Sequence, residues 1–202
     1  DFNLMTNFNK SLREKLKEIA IIEPPKIIEE NISEEGTIKY LVEIESGSMV
    51  EMVVIPEKTR RTLCVSSQAG CALQCTFCAT GAQGFDQDLK SSEIIGQLWL
   101  ANFHAKDSKP ITNIVFMGMG EPLLNFDAVI ESAKIMKDQL AYGLSRKRVT
   151  ISTSGIVPNI ERLSKEIDVS LAISLHASEN KLRNQIVPIN KKYPIESLLE
   201  SC

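Results

Sequence analysis

Thr62-Leu-Cys64-Val-Ser-Ser-Gln-Ala-Gly70-Cys71-Ala-Leu-Gln-Cys75-Thr-Phe-Cys78 reads as a short apolar strand that runs into a loop carrying three cysteines within eight residues. Downstream, strand-like and helix-like stretches alternate. Thr62–Ser66 predicts the first strand. Ser91 or Ser92 caps a helix reaching about Lys106, with Glu93 in its first turn, where a negative charge suits the helix dipole. Asn113–Met119 is a short apolar strand, followed by a helix from Asp127 to about Leu140. A strand over Arg148–Ser152 precedes a short helix that starts near Pro158 and ends around Ser164. Asp168–Leu175 is another strand, with helices near Glu179–Gln185 and Ile195–Cys202 after it. These are four strand-then-helix units in series. Right-handed crossovers make their strands neighbours in a parallel sheet, so the fold class is α/β. Periodicity does not choose between an open doubly wound sheet and part of a barrel.

Upstream, residues 1–35 read as a helix and a polar linker. Phe8, Leu12, Leu16 and Ile19 recur at helical spacing, and Pro24-Pro25 closes the element because proline cannot continue it. Residues 36–60 read as a β-hairpin, Thr37–Ile44 and Met49–Ile55 around Gly47-Ser48. The remainder, 61–202, is the core. The chain begins at Asp1 and stops at Cys202 inside a helix-like stretch, so both ends are expected to be cut.

With 43% hydrophobic and 24% charged residues, the composition is that of an ordinary globular protein. No apolar run approaches the ~20 residues needed to span a bilayer, and no basic-then-apolar leader opens the sequence. No membrane association and a cytoplasmic location are therefore expected. The net charge of −3 does not suggest a polyanion binder. Lys58-Thr59-Arg60-Arg61, Arg146-Lys147-Arg148 and Lys191-Lys192 are short clusters that read most simply as solvated charge. Five cysteines, an odd number with three closely packed, point to a reduced compartment and a metal site rather than a disulfide framework.

Cys71, Cys75 and Cys78 have the spacing C-x-x-x-C-x-x-C. Thiolates are soft ligands suited to iron–sulfur clusters and zinc. A structural zinc site closes with four protein ligands, whereas only three cysteines cluster here and neither His104 nor His176 is near in sequence. Three thiolates on a four-iron cluster leave one iron open to a small molecule. A zinc site completed by a distant ligand and three unligated buried cysteines are the alternatives. Gly70 and Gly81-Ala-Gln-Gly84 fit a loop whose backbone approaches a cluster closely.

The three-cysteine loop resembles that of the radical S-adenosylmethionine superfamily. Thr62–Cys71, Phe116-Met-Gly-Met-Gly120-Glu121-Pro122-Leu-Leu-Asn125, Thr150-Ile-Ser152-Thr-Ser-Gly155 and Ala172-Ile-Ser174-Leu175-His176 are similar to the RNA adenosine methyltransferases RlmN and Cfr. Gly84-Phe85 and Glu121–Asn125 lie closer to the RlmN side. The resemblance runs from about Met5 to the end of the chain. It implies a partial (β/α)6 barrel, of which these four units are the first, preceded by an accessory domain. It also implies methylation of carbon-2 of adenosine in large-subunit rRNA and in tRNA beside the anticodon. Methylation at carbon-8, and a non-catalytic zinc-stabilised RNA-binding module, are the alternatives.

By the same resemblance, Cys71, Cys75 and Cys78 ligate a 4Fe-4S cluster whose open iron takes S-adenosyl-L-methionine. Gly120, Glu121, Ser152, Ser174, Leu175 and His176 contact that cofactor. Taken alone, Glu121 reads as a turn glutamate and His176 as a structural histidine. Cys64 reads as a buried strand cysteine; the resemblance makes it the residue that resolves a covalent RNA adduct by forming a disulfide. Glu51 reads as an exposed strand glutamate; the resemblance makes it the base that removes a proton. The implied route uses a methyl-cysteine intermediate and a 5′-deoxyadenosyl radical, with a reducing electron donor such as flavodoxin. A monomer is expected. Cys202 lacks the surroundings of the family's methyl-acceptor cysteine, so that residue is expected outside the chain and the chain alone is expected not to turn over.

Overall fold

The computed structural model describes residues 1–104 and 109–202. A 3-10 turn at Phe2–Leu4 precedes helix α1 (Lys10–Ile19). Asn9 caps α1, its side chain accepting a hydrogen bond from the Leu12 N–H at 2.8 Å. The expected apolar stripe is present but uncovered, with Leu12 40% and Ile19 68% exposed.

The stretch expected as a polar linker contains a strand, β1 (Lys26–Ile32), antiparallel to β2 (Ile38–Glu43). β1 is almost wholly exposed. Its backbone pairing, not side-chain burial, holds it on the sheet edge, so no alternation marked it. The division at residue 35 therefore cuts through a meander of β1, β2 and β3 (Met49–Pro56). In the expected hairpin, Tyr40 and Val42 are buried on one side, with Val50, Met52 and Val54 facing the same core.

β4 (Arg61–Cys64) is the hinge of the sheet. It pairs antiparallel with β3 and parallel with the next sheet member. A two-stranded ribbon, β5 (Gln68–Gly70) and β6 (Phe85–Asp88), brackets the cysteine loop and the one-turn helix α2 (Ala79–Gln83). Helix α3 (Ser91–Phe103) starts one residue earlier than a serine cap requires. Lys90 is the cap residue, and the Glu93 carboxylate accepts from its N–H at 2.8 Å, satisfying the cap residue's own donor. The expected end of α3 near Lys106 lies outside the described residues.

β7 (Asn113–Phe116), α4 (Phe126–Lys137), β8 (Val149–Thr153), α5 (Val157–Glu166), β9 (Ser170–Ile173), α6 (Asn180–Ile186) and α7 (Ile195–Glu200) complete the chain. α4 ends three residues before Leu140, which is 98% exposed. The parallel strands follow chain order, β4-β7-β8-β9, in a seven-stranded sheet. A doubly wound sheet would reverse that order. Monotonic order with one helix after each strand is the winding of a βα barrel, here with four strands.

Leu63, Ile114, Phe116, Val149 and Ile151 project to the helix-covered side. They pack with Ile94, Leu98, Val129, Ala133, Met136, Ile160 and Leu163 from α3, α4 and α5. The alternate residues Cys64, Val115, Thr150 and Ser152 face the other side, because register partners share a face. No described helix is long and apolar enough to cross a membrane.

Candidate active site

The C-terminal ends of β7, β8 and β9 and the cysteine loop surround a pocket of about 610 Å³. In α/β folds that end of the sheet is where ligands bind. Cys71, Cys75, Cys78, Gly120, Glu121, Ser152, Ser174, Leu175 and His176 all line it. Residues spread over more than a hundred positions of chain thus converge on one cavity.

Glycines make the approach possible. Gly70 (φ +74°) lies so close to Gly84 that a Cβ would sit 2.0 Å from the Gly84 carbonyl oxygen. The Cys71 N–H donates to that same oxygen at 2.8 Å, closing the base of the loop. Gly120 (φ +98°) packs on Gln68, where a Cβ would come within 2.5 Å of the Gln68 Cβ. Gln68 in turn accepts from the Glu121 N–H at 2.8 Å and donates to Asp88 at 2.7 Å. Buried Gln97 holds the exit from β4, donating to the Ser66 carbonyl and accepting from the Ser66 N–H, each at 2.9 Å.

Burial pushes the Cys71 thiol up, with the Glu121 carboxylate and Cys78 adding to the effect. Burial does the same to Cys75, followed by Cys71, Cys78 and Glu121, while the Ser154 hydroxyl pulls it back. The thiols are thus near enough to feel one another's charge. No three described His, Cys, Asp or Glu side chains converge on one point as ligands of a single metal ion would. Three soft thiols on one pocket wall fit the donor set of an iron–sulfur cluster.

Glu121 is buried, and burial drives its carboxyl above the usual range. Hydrogen bonds from Thr153, Ser154 and Leu123 pull in the other direction. The Ser154 N–H reaches one carboxylate oxygen at 2.8 Å and the Leu123 N–H the other at 3.2 Å. The side chain is therefore engaged with protein as well as lining the pocket. Ser152 and Ser174 bring their hydroxyls within 3.4 Å of each other. His176 adopts φ +60°, uncommon outside glycine, and its ring lies 4.3 Å from that of Phe77 in the cysteine loop.

Glu51 and Cys64 do not line this pocket. Cys64 pairs with Val53, two residues beyond Glu51, so both side chains share the sheet face that carries Ser152. Burial raises the Cys64 thiol, moderated by a hydrogen bond from the Met117 backbone. The Glu51 carboxylate forms a half-exposed ion pair with Lys39 at 2.9 Å. Cys202 is exposed and also outside the pocket lining.

Two residues had gone unremarked: Ser154 lines the pocket, and Arg183 is hydrogen-bonded to its carbonyl without lining it. Ser154 lies two places after Ser152 in the same motif. Arg183 sits in the polar run Asn180–Ile186, where nothing distinguishes it from a solvated helix arginine. It is fully buried.

A family model for the radical SAM superfamily matches residues 65–202, and one for the ribosomal RNA large subunit methyltransferase N-terminal domain matches residues 1–22. The dual-specificity RNA methyltransferase RlmN of Pseudomonas putida strain W619 is 60% identical over 207 residues, covering all of this chain and 54% of that protein. The protein of the same name from Pseudomonas fluorescens strain SBW25 is 58% identical, again over the whole chain and 54% of that protein. The crystal structure of a radical SAM methyltransferase from Sphaerobacter thermophilus superposes with a TM-score of 0.92 at 39% identity, over all of this chain and 60% of that one. The chain spans about half the length of the curated relatives it matches.

Proposed function

Because the chain belongs to the radical SAM superfamily, we propose that it is the catalytic core of an RNA methyltransferase acting on carbon-2 of adenosine, in large-subunit rRNA and in tRNA beside the anticodon. One observation carries the reading: three cysteines of the C-x-x-x-C-x-x-C loop share a single pocket with Gly120, Glu121, Ser152 and Ser174–His176. The two Pseudomonas relatives are both named dual-specificity RNA methyltransferase RlmN, which supports the substrate class.

In this reading Cys71, Cys75 and Cys78 hold a 4Fe-4S cluster, and Gly120, Glu121, Ser152, Ser174, Leu175 and His176 hold S-adenosyl-L-methionine. When bound, these groups supply the electron, the radical chemistry and the methyl group, and the protein supplies position and shielding. The raised thiols of Cys71 and Cys75 must release their protons to ligate iron. The hydroxyls of Ser152 and Ser174, 3.4 Å apart, offer paired donors and acceptors to a ribose or carboxylate. Gly120 lines the cavity and, having no Cβ, lets its backbone pack directly on Gln68. Glu51 accepts the proton leaving the adenine ring, since its carboxylate remains accessible beside Lys39. Cys64, half-buried with the Met117 backbone beside its thiol, attacks the methyl-carrying sulfur of the RNA adduct, so that a disulfide forms as the sulfur–carbon bond to the RNA breaks. The methyl-accepting thiol is assigned to none of this chain's cysteines. A flavodoxin-like donor in a reducing cytoplasm delivers the electron, and the enzyme acts as a monomer.

The test is electron paramagnetic resonance on the anaerobically reconstituted, reduced protein, with and without S-adenosyl-L-methionine. A cluster signal that changes on adding the cofactor is expected. Folded protein that binds zinc and takes up no iron would overturn the reading in favour of a zinc-stabilised module. Nucleoside mass spectrometry on rRNA and tRNA from cells dependent on the full-length gene then separates carbon-2 from carbon-8 methylation.

A further inference from the structure

Arg183 is 0% exposed and holds the pocket wall from behind. Its Nη2 donates to the Ser154 carbonyl at 2.6 Å and to the Ser174 carbonyl at 3.3 Å, and its Nε donates to the Leu175 carbonyl at 2.9 Å. Ser154 follows β8, Ser174 and Leu175 follow β9, and all three line the pocket. The third nitrogen, Nη1, donates to the Asn190 side chain at 2.6 Å. Asn190, in the 3-10 turn Pro188–Lys191, is 1% exposed and donates in turn to Asn180 at 2.9 Å and to Asn184 at 2.7 Å. No ion pair among the described residues includes Arg183. A buried cation without an anion is costly. Among side chains, only a guanidinium offers five donors in a rigid planar fork, and here its three nitrogens join two strand ends to one turn.

The Leu175 carbonyl belongs to the peptide just before His176, whose φ of +60° is strained for a residue with a side chain. Such a backbone persists only where its surroundings fix it. That carbonyl also accepts from the Ala177 N–H at 2.8 Å, so the turn is pinned on both sides of His176. The turn sets the His176 ring 4.3 Å from that of Phe77, between Cys75 and Cys78. Helix α6 reaches the same loop directly, because the Ile186 carbonyl accepts from the Thr76 N–H at 3.1 Å. One short helix therefore fastens the strand ends through Arg183 and the cysteine loop through Ile186.

We propose that Arg183, anchored by Asn190, is a positioning residue for cofactor binding: it fixes the ends of β8 and β9 and the left-handed turn at His176, so that Ser152, Ser174 and His176 face the cysteine loop at one set spacing. It acts through backbone carbonyls and does not line the cavity itself. Without the guanidinium, the Ser154, Ser174 and Leu175 carbonyls lose their shared donor, and the two strand ends and the turn relax independently. The inference rests on the cluster and cofactor reading above.

The experiment is a titration of S-adenosyl-L-methionine onto the anaerobically reconstituted full-length protein, by calorimetry before reduction and by electron paramagnetic resonance after it. Wild type is compared with Arg183→Met, Arg183→Lys, Asn190→Ala and Val129→Ala, and iron content and thermal melts are recorded for each. Val129 is buried on α4 and does not line the pocket, so its variant reports destabilisation alone. Arg183→Met is expected to keep its iron and its cofactor-free cluster signal but to bind the cofactor about tenfold more weakly. Arg183→Lys keeps the charge and lacks the fork, so it should also bind weakly. Asn190→Ala frees one side of the guanidinium and should weaken binding by about threefold. Val129→Ala should melt earlier and bind as wild type does. Wild-type affinity in iron-loaded Arg183→Met, or affinities that simply follow the melting temperatures with Val129→Ala included, overturns the proposal. If the Arg183 variants do not fold, Asn190→Ala decides, because it leaves the three carbonyl contacts in place, and wild-type affinity there overturns the proposal. Folded wild-type protein that takes up no iron or binds no cofactor would instead sink the underlying reading, so the two failures are distinct.

Discussion

Glu121 and Arg183 grip opposite ends of one residue: the Ser154 N–H donates to the Glu121 carboxylate at 2.8 Å, and the Ser154 carbonyl accepts from the Arg183 guanidinium at 2.6 Å. Each charge meets the backbone group of complementary polarity. The two residues come from the turn after β7 and from α6, so three consecutive βα units are fastened at the pocket rim. Glu121→Ala would orphan the N–H groups of Ser154 and Leu123. It should cost about 2–6 kcal/mol, from about 1–3 kcal/mol for each of the two buried unsatisfied groups. Glu121→Gln keeps one acceptor oxygen and should cost less. Urea midpoints giving equal losses for both variants would refute this account of the carboxylate.

Glu121 also predicts a pH dependence. Burial raises its carboxyl in the folded state above the ordinary value of 4.5. The folded protein then holds the proton more tightly than the unfolded chain. Its contribution to stability is fully present below the ordinary glutamate value and is lost as the pH rises through the raised folded value. Relative to Glu121→Gln, the wild type should lose stability as the pH rises from about 4.5 towards neutrality. Denaturation curves of both proteins at several pH values test this, and a difference that does not change with pH would count against it.

Gly120 and Gly47 both have positive φ, +98° and +87°, but only Gly120 is crowded. Gly47→Ala meets nothing within 4 Å and should cost about 1 kcal/mol, the left-handed penalty alone. Gly120→Ala adds a Cβ 2.8 Å from the Gln68 backbone nitrogen and should destabilise more, with at least a tenfold loss of cofactor affinity. Thermal melts and calorimetric binding separate the two. Equal behaviour would mean that the close approach at Gly120 has no bearing on the site.

Cys64 and Cys202 should differ sharply towards iodoacetamide. Cys202 is exposed, whereas Cys64 is half-buried and its desolvation raises the thiol above the ordinary value of 9.0. At pH 7.5 Cys202 should alkylate at least tenfold faster, and the Cys64 rate should keep climbing with pH beyond the usual thiol range. Peptide mapping by mass spectrometry reads both. Comparable rates would argue against a sequestered Cys64.

Glu51→Gln, made in the full-length protein, should abolish RNA methylation while leaving iron content and cofactor cleavage intact. The carboxylate lies outside the cofactor pocket, so a loss of cluster or of cofactor cleavage would show that its part is structural.

The parallel strands were legible because each is a short apolar run framed by turn residues, as in Asn113–Phe116 and Val149–Thr153. Periodicity said nothing about winding, but the partial barrel implied by the resemblance agrees with the observed order β4-β7-β8-β9. β1 escaped notice because Lys26, Glu29 and Glu30 break any alternation, and an edge strand needs none. The cysteines marked their part of the pocket wall by type and spacing, whereas the strand-end residues were marked only by the family resemblance. Arg183 could not be read in the same way. Its burial depends on acceptors from Ser154, Ser174, Leu175 and Asn190, which are brought together only by the folded chain.

The cysteine loop is tied down from far along the chain: the Thr76 N–H donates to the Ile186 carbonyl at 3.1 Å, at the end of α6. A ribosome makes Cys78 more than a hundred residues before Ile186. That tie is available only once the fourth strand–helix unit has been made and docked. On the proposed cluster reading, a nascent chain stalled before Ile186 is expected to expose its loop thiols to alkylation more readily than the finished fold does.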